Sequence, residues 1–598
     1  MDEPPELETQ IDRLQQQASE YLATGQLDRA IATCQQILQL KPDCAQAFKI
    51  AADAFAGQGK TDIAIQSYSN AIVFDPNLAD AYANIAVLLH SQDKFEASIP
   101  YYRRALQLNP DRAETYYNLG IGMSRIGRLD QALACYQQVI RLQPDREISY
   151  YICGTILHQL NKLPEAISYY RQAIALKPDY AEPYCNLGIL LARQGNLTEA
   201  IACYHKAIAI NPKIAEVYAN LGAAYMAQGK VTEAIGSYQK AIAINPNDAI
   251  SYSNLGNAYL EQAMLPEAIA SCQQALSVKP DHADAHLNLG LALLLSGDLR
   301  SGFTEYEWRY SCAEVQRPHL PLSQLWDGTD LEGNEILVYS EQGLGDTIQF
   351  IRYLSLVEAR GGKVYFVCHP SLQRLFSNVA GIHQLLPKAA HLDLYAPLLS
   401  LPHILGTTLE TIPDRVPYLS VPTEIQPPIL LEAAQNQSHL KVQLKVGLVW
   451  FSNNPNPNSI KRSCPFSHFL KLFDIPSISF YSLQKDLTPL DRDLLVQYRE
   501  KVTDLSDRLE DFAATATIIE QLDLVISIDT AVAHLAGAMA KPIWVLLPFA
   551  PDWRWMLQRS DSTWYPTMRL FRQDSPNDWE GVANKVYDAL QSFQPGLY

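Results

Sequence analysis

Residues 113–144 read AETYYNLGIGMSRIGRLDQALACYQQVIRLQP, and this stretch decides the fold of the first half of the chain. Tyr116, Leu119, Gly120 and Met123 stand at i, i+3, i+4 and i+7, the stripe of one amphipathic helix; Ala132, Tyr136 and Val139 line a second. Pro144 closes the second helix, because proline lacks a donor and restricts the residue before it. The unit repeats. Proline returns every 34 residues at Pro42, Pro76, Pro110, Pro144, Pro178, Pro212, Pro246 and Pro280. A small residue keeps step at Ala52, Ala86, Gly120, Gly154, Gly188, Gly222, Gly256 and Gly290, and another at Ala30, Ala64, Ser98, Ala132, Ala166, Ala200, Ala234 and Ala268. Small residues belong where two helix backbones cross closely. Three registers at one period describe stacked helix pairs, a helical solenoid.

The order Tyr-x-x-Leu-Gly-x-x-Tyr/Leu, then Ala, Tyr, Ala and Pro, resembles the tetratricopeptide repeat. The resemblance covers about residues 11–316, roughly nine repeats including a weaker first unit and a ninth without the proline. Residues 1–10 are expected to be a disordered N-terminus. Asn84, Asn118, Asn186, Asn220, Asn254 and Asn288 share one repeat position, interrupted by Ile50 and Ile152. On an inner helix they would form an amide ladder that donates to and accepts from a peptide backbone in the groove. Asn is also ordinary consensus at this position in repeats that bind nothing there.

Charge and cysteine usage bound the environment. A net charge of −17 argues against nucleic acid or an anionic membrane as a general partner. The first residues, Met1 to Glu6, are acidic and have no apolar core, so no signal peptide is expected, and no apolar run approaches the ~20 residues of a membrane span. The 10 cysteines include no Cys-x-x-Cys pair, and Cys34 and Cys272 fill a slot that Tyr holds in other repeats. They read as small core residues in a reducing compartment, so a cytoplasmic location is expected.

The texture changes after the repeats. Residues 317–334 form a connector rich in Pro and Gly. Residues 335–339 and 363–368 read as strands flanking a helical pattern through Ile348, Ile351, Leu354 and Val357, the start of a parallel sheet over 335–420. Residues 421–441 are a polar linker. A second series over 442–598 has strands at 446–450, 478–483, 524–528 and 542–547, and a closing helix at 579–593. The expected architecture is therefore an all-α superhelix followed by two α/β, doubly wound Rossmann-like halves. Such sheets take ligands at the carboxyl ends of their strands.

The segments Gly343-Leu344-Gly345-Asp346-Thr347 and Asp529-Thr530-Ala531-Val532-Ala533-His534 are similar to the two signature loops of heptosyltransferase-like glycosyltransferases. That resemblance, over about 335–595, implies the GT-B architecture and a nucleotide-diphosphate-sugar donor in the cleft. Three further segments are similar to bacterial proteins that join tetratricopeptide repeats to this domain: Tyr306-Glu307-Trp308-Arg309, Ser482-Leu483-Gln484-Lys485, and Pro551-Asp552-Trp553-Arg554-Trp555.

Physical reasoning reaches the same loops. A strand ending at Ile528 before a helix start points unpaired amides and partial positive charge at a diphosphate. Ala531 and Ala533 allow close approach, Thr530 offers a hydroxyl, and His534 lies about one turn along. The resemblance assigns Asp529, Thr530, Ala531, Val532 and His534 to donor binding. The alternative is a capped helix with Asp529 as N-cap and His534 a satisfied interior group. Lys461 and Arg462, after the Pro/Asn-rich loop 453–459, are the expected cations for the leaving diphosphate.

Gly343 and Gly345 suggest a phosphate loop, but Asp346 would repel phosphate there. A carboxylate facing the acceptor suits a general base, the role that the resemblance gives this Asp in an inverting displacement. It is equally the residue that most often caps a helix. Gln484, Lys485 and Trp553 are candidate nucleotide contacts by position. No metal-ligand spacing is evident and no bound cofactor is expected; the nucleotide sugar is a co-substrate.

Three functions fit. The first is an inverting GT-B glycosyltransferase whose repeats recruit a protein or peptide acceptor, an arrangement resembling protein O-linked N-acetylglucosamine transferases in architecture. The second is a glycan- or lipid-linked-sugar transferase with repeats for assembly. The third is an inactive repeat scaffold for protein–protein interaction.

Overall fold

The computed structural model describes residues 5–312, 324–389, 392–423, 444–452, 461–476 and 478–594. Packing divides the chain into two compact units, Met1–Gln228 and Gly229–Tyr598. The first unit is helical throughout its described residues, from α1 (Pro5–Ala23) to α13 (Ala215–Ala227). The second begins with α14 (Val231–Ile244), runs through α18 (Leu299–Tyr306), and carries both sheets. Of the stretch 1–10 expected to be disordered, residues 1–4 lie outside the described residues and the rest is helical, in α1 from Pro5. Leu7, Ile11, Leu14, Ala18 and Leu22 give that helix a continuous apolar stripe to bury.

Side-chain size explains the repeat registers. Tyr68, Tyr102, Tyr136, Tyr170, Tyr204 and Tyr238 are all buried at the 34-residue period. Opposite three of them stand Gly120, Gly154 and Gly188, where an added Cβ would fall 2.9, 2.6 and 2.6 Å from a tyrosine ring carbon. The glycine makes room for the ring. After α8 (Leu129–Leu142), Gln143 leaves the helix at φ −136°, ψ 80°, outside the α region that a following proline disfavours.

Among the described residues, ten strands form two all-parallel sheets. β1 (Glu335–Tyr339), β2 (Lys363–Val367), β3 (Gln384–Leu386) and β4 (Leu394–Pro397) lie in the order β3-β2-β1-β4. β5 (Leu444–Val449), β6 (Ile478–Ser482), β7 (Val502–Asp504), β8 (Leu524–Ile528), β9 (Ile543–Leu547) and β10 (Met568–Arg572) lie in the order β10-β9-β8-β5-β6-β7. Each sheet winds one way and then returns to the other side of its first strand. The switch points fall between β1 and β4 and between β5 and β8, where doubly wound sheets bind ligands. β3, β4 and β7 are too short for a periodic signal, and edge strand β10, Met-Arg-Leu-Phe-Arg, is neither alternating nor continuously apolar; the sequence reading contains none of the four.

One apolar core joins Leu294, Leu299 and Phe303 of the last repeat to Ile336, Val338 and Phe366 of the first sheet and Val449, Val525 and Val545 of the second. The alternate residues Val446, Leu448, Ile526 and Trp544 face a second cluster closed by Val582 and Val586 of the helix Trp579–Gln591. Burial on both faces makes these strands continuously apolar. The shared core also means that compositional borders are not packing borders: the last repeats belong with the sheets.

The expected connector 317–334 is structural in its second half. Trp326 is buried, its amide donates to the Tyr395 carbonyl at 2.9 Å, and Leu325 forms a parallel bridge to Tyr395. Most of the expected linker 421–441 and the loop 453–459 lie outside the described residues. The helix expected through Val357 is broken into Leu344–Phe350, a tight turn Ile351–Tyr353 and Leu354–Glu358.

Candidate functional site

The two signature loops leave their sheets beside the switch points and meet. The Gly343–Asp346 loop follows β1 and opens the helix Leu344–Phe350; the Asp529–Thr530 loop follows β8 and opens the helix Ala531–Ala538. A Cβ at Gly345 would lie 2.9 Å from His534 Cδ2 and 3.5 Å from the Ala531 Cα. Gly345 is thus small because the second helix packs on it, which replaces the phosphate-loop reading of this glycine.

Asp346 takes the capping position of one of its two readings. Its Oδ2 accepts from the Gly343 amide at 2.9 Å, the cap. Its Oδ1 accepts from Arg554 Nη2. Arg554 is buried and also donates to Gln349 Oε1 at 2.6 Å and Asp552 Oδ1 at 2.7 Å, with its guanidinium 4.3 Å above the Trp553 ring. Burial pushes the Asp346 carboxyl above its ordinary range, and the Arg554 charge opposes this.

The second loop differs in detail from its expected chemistry. Thr530, not Asp529, is the N-cap, and no side chain bonds to the first turn. The Thr530 hydroxyl lies 3.0 Å from Ser527 Oγ. Ala531 and Val532 are half-buried at the helix start. Asp529 is buried and accepts from Arg462 Nη1 at 3.3 Å, so it orients a cation instead of meeting an anion. His534 is buried, with Nδ1 2.9 Å from the Tyr565 hydroxyl and its ring stacked on Trp555. Burial, then the Arg554 charge, pushes its pKa down to about 3. It is neutral and committed, the satisfied interior group of the alternative reading.

Lys461 and Arg462 do share a cavity, of about 280 Å³. Its opposite wall comes from the repeats, through Asn257 and Glu261 of α15 (Ala249–Glu261) and Leu291 and Leu295 of α17 (Ala283–Ser296). Lys461 Nζ donates to Glu261 Oε2 at 2.7 Å. Among the described residues, Arg462 Nε is buried without a hydrogen-bond partner. The cavity therefore reaches the Asp529 loop through Arg462.

Three candidate nucleotide contacts change meaning. Gln484 is buried and fully used: Oε1 accepts from the Trp450 and Phe451 amides at 3.3 and 3.0 Å, and Nε2 donates to the Phe451 and Asp486 carbonyls. It pins the end of β5 and has nothing left for a nucleotide. Exposed Lys485 donates to the Glu510 carbonyl at 3.0 Å. Trp553 touches the cavity but packs mainly on Phe303 and Phe350, in the core.

The asparagines are not a uniform ladder. Asn84 Nδ2 donates to Asp53 and the Tyr68 hydroxyl, Asn186 to the Tyr151 hydroxyl at 3.4 Å, and Asn288 to Ser253. Asn220 Nδ2 is buried without a partner, and Asn118 and Asn254 are half-buried.

The segment Tyr306–Arg309 has a role that no spacing revealed. The Tyr306 hydroxyl donates to Gln342 Oε1 at 3.1 Å. Buried Arg309 donates to Glu307, Glu341 and Ser400, joining the last repeat to both loops at the switch point of the first sheet. Its signal in the sequence was the resemblance of Tyr306-Glu307-Trp308-Arg309 to repeat-fused proteins, which named the segment without its partners. Among the described residues no cluster of three His, Cys, Asp or Glu side chains could hold a metal, and no helix is long and apolar enough to cross a membrane.

Comparison with known proteins concerns the repeats. Profiles described as TPR repeat or tetratricopeptide repeat match residues 11–44, 52–93, 77–145, 154–195, 190–229, 224–262 and 249–282. The chain is 28% identical over 338 residues to Protein FlbA of Caulobacter vibrioides, a match covering 50% of this chain and 54% of FlbA. It thus spans about half the length of that curated relative. The solved structure of YrrB, described as a TPR protein with an unusual peptide-binding site, is 26% identical with a TM-score of 0.29, covering 31% of this chain and 96% of YrrB. MamA of Desulfovibrio magneticus RS-1 is 20% identical with a TM-score of 0.27, covering 28% and 96%. Tetratricopeptide repeats therefore fill the first half of the chain, an arrangement suited to protein interaction, and two parallel sheets follow.

Proposed function

We propose that the chain is an inverting GT-B glycosyltransferase that uses a nucleotide-diphosphate-sugar donor and recruits a protein or peptide acceptor through its repeats. One observation carries the reading. A cavity beside the segment that follows β9 holds Lys461 and Arg462, and Arg462 carries a buried Nε–H with no hydrogen-bond acceptor among the described residues. A buried guanidinium donor without an acceptor costs ~1–3 kcal/mol, and a diphosphate oxygen would satisfy it. At about 280 Å³ the cavity is sized for the pyrophosphoryl group and part of its substituent. In the reaction, an acceptor hydroxyl attacks the anomeric carbon and Asp346 takes its proton. The carbon–oxygen bond to the diphosphate breaks, and Lys461 and Arg462 stabilise the charge that develops on the leaving oxygen.

The scaffold reading has its own observation. Both Asp346 oxygens are already engaged, by the Gly343 amide and by Arg554. A base so held must exchange Arg554 for the acceptor. Thermal stabilisation by nucleoside diphosphates, followed by sugar transfer with Asp346→Asn, separates the two. Stabilisation by about 2.7 kcal/mol at 100 times the dissociation constant, with transfer lost in the variant, supports the enzyme. Binding without transfer in the parent chain supports the scaffold, and no nucleotide binding at all sinks the donor site.

A further inference from the structure

The outer edge of the second sheet carries a separate recess. Residues 559–561 run beside β10, with the Leu570 amide donating to the Ser560 carbonyl at 2.8 Å. Between this segment, β10 and the helix Trp579–Gln591 lies a cavity of about 530 Å³, lined by Arg559, Arg569, Arg572 and Lys585, with Asp588 as its one acidic wall residue. It shares no lining residue with the Lys461–Arg462 cavity.

Arg572 is built into place. Its Nε donates to the Arg559 carbonyl at 3.1 Å and its Nη2 to the Trp555 carbonyl. Nη1 is buried and has no hydrogen-bond partner. Among the described residues no carboxylate pairs with Arg572 or with exposed Arg569, whose guanidinium sits 4.7 Å over the Phe571 ring. Arg559 is held by Asp561 at 2.8 and 2.7 Å, and Lys585 by Asp574 at 2.7 Å. Two guanidinium groups without a carboxylate partner among the described residues thus line one recess in a protein whose net charge is −17. Positive charge left unbalanced and partly desolvated is unfavourable unless an anion completes it. Burial and the neighbouring Arg559 push the Arg572 pKa down to about 10, so the group remains a cation at neutral pH.

We propose that this recess binds a phosphoryl group, with Arg569, Arg572 and Lys585 as its cations. Several forked donors at different angles suit a tetrahedral anion with three or four acceptor oxygens better than a single planar carboxylate.

The test is calorimetric titration of the full chain with inorganic phosphate at constant ionic strength, with sodium chloride as control. Glycerol 2-phosphate in a parallel arm separates a phosphomonoester ligand from the free ion. Arg572→Gln should weaken binding about tenfold or more. The exposed pair Arg569→Ala/Lys585→Ala, which removes one backbone tie, from Lys585 Nζ to the Arg572 carbonyl at 3.0 Å, should weaken it several-fold with unchanged circular dichroism. Arg462→Ala should leave it intact, which also separates this site from the donor cavity. The exposed pair decides if Arg572→Gln does not fold. No saturable phosphate binding, equal affinity in the exposed pair, or loss in Arg462→Ala alone overturns the proposal.

Discussion

Arg554 bonds Asp346 across 208 positions of sequence, tying the loop after β1 to the segment after β9. The pair fixes the first signature loop, since Arg554 also holds Gln349 of the helix that Asp346 caps. Both partners are largely buried, at 7% and 21% side-chain exposure. Arg554→Met would strand the Asp346 and Asp552 carboxylates and should cost about 3–5 kcal/mol. Asp346→Asn keeps an acceptor for the Gly343 amide and should cost less. Urea unfolding of the two variants checks the order; a milder loss in Arg554→Met would remove the ion pair from the account.

Repeat glycines should differ by what they face. Gly188→Ala drives a methyl to within 2.6 Å of the Tyr204 ring and should destabilise by about 1–3 kcal/mol. Gly236, in α14, has nothing within 4 Å of an added Cβ, and Gly236→Ala should stabilise by about 0.5–1 kcal/mol through helix propensity. Thermal melts of both report on the packing argument directly.

Acid should weaken the protein through His534. Its folded pKa of about 3 lies below the ordinary 6.5, so the unfolded chain takes up the proton first as pH falls. The stability is complete above pH 6.5 and is lost progressively from there towards pH 3. The slope approaches about 1.4 kcal/mol per pH unit from this one group. His534→Gln should flatten the fall in Tm between pH 7 and 5; an unchanged slope would place its origin elsewhere.

Glu261 competes with any anion for Lys461. Lys461→Ala should weaken binding of a nucleoside diphosphate about tenfold, whereas Glu261→Gln should strengthen it by freeing the ammonium. Both effects should shrink as salt rises, because the pair is half-exposed. Calorimetry at two ionic strengths tests the pair of signs, and a weaker Glu261→Gln complex would contradict the competition.

Periodic features were legible in the residues alone. Pro42 to Pro280 and the glycine register fix the repeats because helix packing is local: each helix meets its sequence neighbour, and the period writes itself into the chain. The long buried strands β5, β8 and β9 declare themselves by continuous apolar runs for a similar reason. Side-chain roles depend on partners far along the chain, and there tertiary structure decided. Gln484 became a backbone clamp, His534 a buried neutral ring, and Asp346 the partner of Arg554, none of which one-dimensional spacing encodes. Parallel sheets and a core shared by the last repeat bring such distant groups together, so the charges that matter at the site are balanced only in three dimensions.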